Sequence, residues 1–579
     1  MKPELVPLYT PSGERLAADP DRIPWDAYPR PQLRRDSYLC LNGWWDFAVT
    51  DGDAAAVYDR RIRVPYCPES LLSGIGEVPT PGGRLCYRRL FTLPDGFVQG
   101  RVLLHIGAAD QITHVYVNDS LVGEHVGGYD PITVDITAYL QAENTLRIEV
   151  EDHLPDTTLP YGKQCHKRGG MWYTPVSGIW QTVWLESVPK NYVKSIDFTT
   201  TKNTATVRVD GVSEGTLTVT TPLGEVTLPV VDGVAEFATD TPRLWCPEDP
   251  YLYECTLETA EDTVQSYFAL RTLTTETVDG VPRLCLNGKP VFLHAVLDQG
   301  YWSDGLFTPP LPTCYEWDVV KMQELGFNTL RKHIKIEAER FYYDCDRLGM
   351  LVWQDMVNNG DYSFFRDTAL PTVGLKRLND KHLHRDKNTR AAFEAGMAQT
   401  VRQLNNHPCI VGWTIFNEGW GQFDSQRMYE TLKALDSTRF IDTASGWFKG
   451  ADSDLVSEHV YFKPYRFKPG QKPVFLSEFG GYSYKPEGHV SNTKQTYGYR
   501  LFDDAAAYMD AVEKLYRQEI VPAVAKGLCG AVYTQLSDVE DETNGLYSYD
   551  RRVCKVDAER MRCLAAELTK QIENGGTNQ

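Results

Sequence analysis

The 579-residue sequence lacks several patterns that mark common protein classes. Its 13 cysteines are scattered singly between Cys40 and Cys563 with no CxxC pair, which indicates reduced thiols rather than a zinc ribbon or a disulfide framework. No apolar run of about 18 residues is present, so no transmembrane helix is predicted. No GxGxxG or GxxxxGK[ST] motif suggests a nucleotide site. No apolar segment follows the opening MKPE, so we expect no signal peptide and a cytoplasmic location.

Positive charge is also in short supply. The chain has 59 Lys and Arg against 78 Asp and Glu, a formal net charge of −19. Such a surface repels phosphate backbones and anionic lipids, so we expect neither nucleic acid nor a membrane as partner. An anionic small molecule is still compatible with the net charge as a substrate, provided that its binding pocket is basic. Aromatic residues are plentiful, with 13 Trp and 32 Tyr, and these either stack on sugar rings or simply occupy strands.

Three segments with different patterns of apolar and polar residues follow one another along the chain. We therefore predict domains at residues 1–188, 189–275 and 276–579. Segments such as "HVYVNDSLVGEHVGGYDPITVDIT" alternate apolar and polar residues around turn residues, which predicts a β-sandwich. The middle segment carries Thr- and Val-rich strands such as "TATVRVDG" and "GTLTVTTP", typical of an immunoglobulin-like sandwich.

The third segment contains eight short apolar runs, most of them preceded by a stretch with helical periodicity. Examples are "GFNTLRKHI", "CIVGWTIFNEG" and "PVFLSEFGG". Strands that are buried on both faces read as continuous apolar runs. Eight such units in about 300 residues favour a (β/α)8 TIM barrel. An open doubly wound sheet is the alternative.

Active sites of TIM barrels lie at the carboxyl ends of the strands, so the residues there are the first candidates. The fourth predicted strand ends at Asn417-Glu418, and the seventh at Ser477-Glu478. Because these strands face each other across the barrel, the two carboxylates can approach to about 5 Å. Glycoside hydrolysis needs such a pair, one as acid and one as nucleophile or base. Two unrelated surface glutamates are the alternative.

At these residues the sequence resembles glycoside hydrolase family 2, the family of β-galactosidases, β-glucuronidases and β-mannosidases. Six segments carry the resemblance in the family's order: "YVNDSLVGEHVGGYDPITVDIT", "SGIWQTVWLE", "LNGKPVFLHAV", "GWTIFNEGWGQF", "VFLSEFGG" and "TQLSDVEDETNGLYSYDRR". The resemblance implies a jelly-roll sugar-binding domain, an immunoglobulin-like sandwich and a catalytic barrel. It also implies a carbohydrate substrate and a homo-oligomer.

The resemblance assigns roles to single residues. Glu418 would be the acid/base, Asn417 a ligand of the sugar 2-hydroxyl, and Glu478 the nucleophile. Arg331 matches an arginine near the nucleophile, and its charge would keep Glu478 ionised. Tyr461 is a candidate hydrogen-bond donor to the nucleophile, or else a packed tyrosine. Further candidates for the sugar pocket, or for its support, are His333, Asp298, Gln299, Gln354, Asp355, His459, Trp447, Tyr533 and Lys335.

The sequence departs from some family patterns. The β-galactosidase pattern has a histidine three residues after the strand-two arginine, where this chain has Ile334, with His333 one residue earlier. After strand three, "WQDMVNNG" offers no histidine for a metal. We therefore expect no required metal ion and no cofactor.

The substrate is predicted from the same comparison. Family glucuronidases grip the uronate with Asn-x-Lys, and here Asn544 has no lysine two residues later. We therefore favour a retaining exo-β-galactosidase, with a β-glucuronidase or β-galacturonidase as alternative. Lys332 and Lys335 could hold a carboxylate, or form a solvated pair. A non-catalytic carbohydrate-binding protein is the alternative of another class, and a transglycosylase differs only in its acceptor.

Overall fold

The computed structural model describes residues 5–52, 54–370, 380–446 and 451–574. The chain forms a β-sandwich, an immunoglobulin-like domain and a parallel (β/α)8 barrel, in this order along the sequence. The predicted fold class is therefore confirmed.

The N-terminal domain consists of two main antiparallel sheets around one apolar core. The four-stranded sheet has the order Leu39–Cys40, Val183–Val188, Arg101–Ile106, Ile132–Asp135. The six-stranded sheet has the order Arg60–Val64, Gly43–Asp51, Gly83–Phe91, Asn144–Glu151, Ile112–Val117, Ser120–Val126. A small pair, Gly178–Ile179 with Ala109–Asp110, and the helix Pro11–Ala17 complete the domain. Alternating apolar and polar residues account for these strands. In Ile112–Val117, for example, Val115 and Val117 are buried while their neighbours are half-exposed.

The immunoglobulin-like domain has seven antiparallel strands. Their hydrogen-bonded order is Ser195–Thr200, Thr204–Asp210, Val234–Ala238, Gly224–Val231, Glu214–Thr221, Tyr253–Glu258, Thr263–Phe268. Alternate residues point inward, so that Val207, Leu217, Phe237 and Leu257 share one core. Three short strands then lead to the barrel: Leu273–Val278, Val281–Leu286 and Lys289–Pro290.

The barrel contains eight parallel strands, each of which was predicted from an apolar run. In chain order they are Leu293–Asp298, Thr329–Lys332, Leu351–Asp355, Ile410–Asn417, Phe440–Ser445, Val456–Val460, Val474–Gly480 and Leu528–Thr534. Strand one pairs with strands two and eight, and strand seven lies between strands six and eight. All residues of strand four are buried, as expected for a strand covered on both faces.

Helices surround the barrel strands. They are Thr313–Glu324, Glu339–Leu348, Phe364–Ala369, Lys387–Leu404, Ser425–Leu435, Ala505–Leu515, Tyr516–Ile520, Val521–Lys526 and Ala558–Asn574. A strand pair, Tyr482–Tyr484 with Arg500–Phe502, follows strand seven. Among the described residues, no helix combines the length and the apolar character needed to cross a bilayer.

A loop of the N-terminal domain, residues 161–174, lies against the carboxyl ends of the barrel strands. We call it the roof loop. At one end the Tyr161 amide donates to the carbonyl of Asn358 (3.1 Å), and its hydroxyl donates to the carbonyl of Gly360 (2.9 Å). At the other end the amide of Thr174 donates to Oε1 of Glu540 (2.9 Å). The loop is therefore fixed to two separate barrel loops.

Candidate active site

Two glutamates converge at the carboxyl ends of strands four and seven. Glu418 directly follows strand four with a left-handed backbone (φ 51°), and Glu478 lies near the end of strand seven. One carboxylate oxygen of Glu418, one of Glu478 and a ring nitrogen of His459 all lie within 4.8 Å of one another. The two glutamates are only 9% and 5% exposed, and both line one narrow cavity.

Arg331 connects the nucleophile candidate to three other strands. The fully buried guanidinium donates to Oε1 of Glu478 (3.2 Å), Oδ1 of Asn417 (2.9 Å) and Oδ1 of Asp355 (3.0 Å). Burial alone would lower the pKa of Arg331, but the charges of Asp355 and Glu478 outweigh burial and raise it above its ordinary value. Arg331 therefore stays charged and places a buried positive charge against the Glu478 carboxyl group.

Tyr461 holds the second oxygen of the same carboxylate. Its hydroxyl lies 2.5 Å from Oε2 of Glu478 and 2.8 Å from the hydroxyl of Thr534. Burial, and then the charge of Glu478, raise the pKa of Tyr461 well above its ordinary value. The phenol therefore stays protonated and donates to the carboxylate. Tyr499 stacks on its ring, with centroids 3.8 Å apart, and fixes its orientation.

His459 stands between the two glutamates. Its Nδ1 lies 2.8 Å from Oε1 of Glu418 and 3.4 Å from Oε2 of Glu478. In the part of the chain that the structure describes, these three side chains are the one group of Glu, Asp, His and Cys donors close enough to share a metal ion. The histidine hydrogen bond already orients Glu418 without a metal. That the site requires no metal stays a prediction.

Asp355 and His333 form a layer behind these groups. Nδ1 of His333 lies 2.7 Å from Oδ2 of Asp355, whose other oxygen accepts from Arg331. Burial, and then the charge of Lys163, lower the pKa of His333 to about 4 despite this carboxylate. His333 is therefore a neutral imidazole near pH 7. Its ring lines the cavity together with Gln299.

Several predicted residues lie elsewhere. Asp298 accepts from Lys332 (2.6 Å), and Tyr533 is fully buried beside Tyr508. Tyr342 donates to the side chain of Gln354 (2.7 Å). Like these three residues, Lys335 is absent from the cavity lining. Trp447 lies outside the described residues.

The idea that Lys332 and Lys335 form a solvated pair is wrong, because each is only 1% exposed. Lys332 is paired with Asp298 and Glu337, and the Lys335 ammonium donates to Glu337 and to two backbone carbonyls. A buried ammonium needs such partners. Because these acceptors occupy both ammonium groups, neither is directed at the cavity.

The cavity also has lining residues that were not named as site candidates from the sequence. They are Lys163, Met171, Leu297, Trp420, Tyr499, Thr534 and Glu542. Lys163 and Met171 belong to the roof loop, whose sequence "YGKQCHKRGGMWYT" is rich in basic residues and glycine. This basic, glycine-rich composition is the feature of the sequence that could have indicated a ligand-binding loop. A larger cavity of about 350 Å³ lies at the junction of the three domains and is lined by neither catalytic candidate.

Known proteins resemble the chain over most of its length. A β-galactosidase of Thermoanaerobacter pseudethanolicus is 24% identical over 70% of the chain, which spans only 54% of that relative. The structure of a β-D-glucuronidase of Dictyoglomus thermophilum has a TM-score of 0.69 at 18% identity, and covers 94% of this chain and 98% of its own. A GH2 β-galacturonidase of Eisenbergiella tayi, bound to galacturonate, has a TM-score of 0.67 at 19% identity over 93% of this chain and 99% of its own.

Three family models match the chain in the order of its three domains. The model for Glycosyl hydrolases family 2, sugar binding domain, matches residues 64–189. The model for Glycosyl hydrolases family 2 matches residues 186–271, and the TIM barrel domain model of the same family matches residues 283–470. The chain therefore belongs to glycosyl hydrolase family 2, a family of glycoside hydrolases.

Proposed function

We propose that the protein is a retaining exo-β-glycosidase that hydrolyses a terminal β-linked hexose by double displacement. The observation that carries the proposal is the approach of Glu418 and Glu478, which have carboxylate oxygens within 4.8 Å of each other. Retaining enzymes hold their carboxyl groups about 5–5.5 Å apart, whereas inverting enzymes leave about 6.5–9.5 Å for a water molecule. The short separation favours direct attack by one carboxylate.

In the first step, Glu478 attacks the anomeric carbon while Glu418 gives its proton to the glycosidic oxygen. The bond to the aglycone breaks, the aglycone leaves as an alcohol, and a glycosyl ester forms on Glu478. In the second step, Glu418 takes a proton from water, and the water oxygen displaces Glu478 from the anomeric carbon. The hydrogen bond from His459 supports the placement of Glu418 for both proton transfers.

Asn417 suits a role in binding the sugar. Its Oδ1 accepts from both Arg331 (2.9 Å) and the hydroxyl of Ser445 (2.9 Å). The acceptor side of the amide is thus occupied, which leaves the N–H groups as donors toward the cavity that Asn417 lines. A hydroxyl next to the anomeric carbon is the acceptor we assign to them.

Two sugars are candidates for the cleaved end. The β-galactoside, preferred from the sequence, needs no cation in the cavity, and the T. pseudethanolicus relative is a β-galactosidase. A β-glucuronide or β-galacturonide is the second candidate. The cavity-lining Lys163 favours this anionic candidate, as do the names of the two structural neighbours.

The proposal is tested with 4-nitrophenyl β-D-galactoside, β-D-glucuronide and β-D-galacturonide. We expect turnover of at least one substrate, and proton NMR of the reaction should detect the β-anomer of the sugar first. The α-anomer as first product would contradict the retaining mechanism. No turnover of these or of other β-hexosides would favour the non-catalytic carbohydrate-binding alternative.

A further inference from the structure

The cavity has an unusual cation, Lys163, which the N-terminal domain supplies through the roof loop. Its side chain lines the same cavity as Glu418 and Glu478. The Lys163 ammonium lies 5.5 Å from the ring centroid of Trp420 and 5.6 Å from that of Tyr173. Cation–π contacts at this range hold an ammonium group in place without neutralising its charge.

The Lys163 ammonium lacks an acceptor within the described part of the chain. The residue is only 8% exposed, yet among the residues that the structure describes its ammonium forms neither an ion pair nor a hydrogen bond. Lys332 and Lys335, by contrast, each donate to carboxylates. A cation removed from water needs a compensating acceptor, so this ammonium, which faces the cavity, is positioned for an acceptor that arrives with the ligand.

A carboxyl group that could compete for Lys163 is that of Glu542, which also lines the cavity and is influenced by the charge of Lys163. Its Oε2 accepts from the hydroxyl of Tyr173 and from the side-chain amide of Gln535 (3.1 Å). Burial raises the pKa of Glu542, although Lys163 acts in the opposite direction. Glu542 is thus held by other donors and forms no ion pair with Lys163, which leaves the ammonium available.

We infer that Lys163 determines specificity by binding the carboxylate of a terminal hexuronic acid, so that the N-terminal domain selects an anionic sugar for the barrel to cleave. The inference rests on the proposed function and names its substrate class. Lysine is a suitable partner, because a charge-assisted hydrogen bond to a carboxylate is strong and a neutral hydroxymethyl group cannot replace it. The absence of Asn-x-Lys after strand eight is consistent with a clamp that comes from another domain.

The test compares kcat and KM for 4-nitrophenyl β-glucuronide, β-galacturonide and β-galactoside. The variants are Lys163→Met, Lys163→Gln and, as a matched charge control on the immunoglobulin-like domain, Lys202→Met. We expect the wild type to prefer a uronide. Both Lys163 variants should lose about 10- to 100-fold in kcat/KM for the uronide, mainly through KM. They should change within about threefold on the galactoside, as Lys202→Met should on all substrates.

Different outcomes separate the two proposals. Wild-type cleavage of the galactoside with no preference for uronides overturns the role of Lys163 and leaves the glycosidase proposal intact. Equal losses on both sugars, or no loss on the uronide in a variant that unfolds at the wild-type temperature, also overturn it. No turnover of any substrate by the wild type overturns the glycosidase proposal itself.

Discussion

The Tyr461 hydroxyl lies 2.5 Å from Oε2 of Glu478, opposite the oxygen that Arg331 contacts. One donor on each oxygen fixes the rotation of the carboxylate and stabilises its charge. Of the two donors, only Arg331 carries a charge. The contribution of Tyr461 can therefore be measured by removing one hydroxyl.

We predict that Tyr461→Phe lowers kcat by about 10- to 100-fold, because a hydrogen bond to a charged group is worth about 1.5–3 kcal/mol. The ring and its stack on Tyr499 remain, so thermal unfolding should change little. Steady-state kinetics on an aryl β-glycoside measure the effect. Tyr465→Phe, outside the cavity, is the control. An unchanged kcat would show that Glu478 does not depend on this donor.

Glu478→Gln should abolish turnover, with a loss of at least about 1,000-fold, because an amide cannot form the glycosyl ester. The change is nearly isosteric, so the protein should still fold. Glu487→Gln, which alters an exposed glutamate in the segment after strand seven, should retain full activity. Substantial activity in Glu478→Gln would refute its assignment as nucleophile.

Glu418→Ala should show the signature of a missing acid/base. Hydrolysis should fall by about 100- to 10,000-fold, and least for substrates whose leaving group needs no proton. Azide should then restore release of nitrophenol and give a β-glycosyl azide, since it attacks the glycosyl ester from the face that water uses. If azide instead gave the α-azide, Glu418 would be the nucleophile.

The neutral His333 predicts a dependence of stability on pH. Its pKa is lowered to about 4 in the folded protein, against about 6.5 when unfolded. Unfolding therefore takes up a proton between these values, and the stability that His333 contributes above pH 6.5 is lost as the pH falls toward 4. At 1.4 kcal/mol per tenfold change, this amounts to roughly 3 kcal/mol.

Denaturant unfolding of His333→Asn at pH 7 and pH 4.5 measures this dependence. The amide of asparagine can still donate to Asp355 but does not titrate. The variant should therefore lose less stability on acidification than the wild type. His114→Asn, at a partly exposed position of the sandwich, should follow the wild type. Identical pH slopes for His333→Asn and the wild type would contradict the prediction.

The sequence predicted the barrel well because both faces of its strands are covered, which produces apolar runs that can be recognised singly. The same rule located Glu418 and Glu478, since strand ends meet at one rim of a barrel. Lys163 could not be found in this way. Its place in the cavity depends on how one domain packs on another, and neither spacing nor periodicity encodes that packing.

Lys332 and Lys335 illustrate a second limit. Two lysines separated by two residues usually indicate a solvated surface. Here Asp298 from strand one and Glu337 from the loop after strand two supply partners inside the protein. Asp298 is distant from both lysines in the chain, and Glu337 is near in sequence but its side chain must turn toward them. The sequence pattern around the two lysines reveals neither of these conditions.

The cavity is built from two domains, because the roof loop of the N-terminal domain and the glutamates of the barrel line it together. A barrel without the N-terminal domain would retain both glutamates but would lose Lys163 and Met171 from the lining of the cavity. Its selectivity among sugars would fall further than its bond-breaking chemistry. Exchange of residues 161–174 between relatives is accordingly a more direct route to a new substrate preference than redesign of the strands that carry the glutamates.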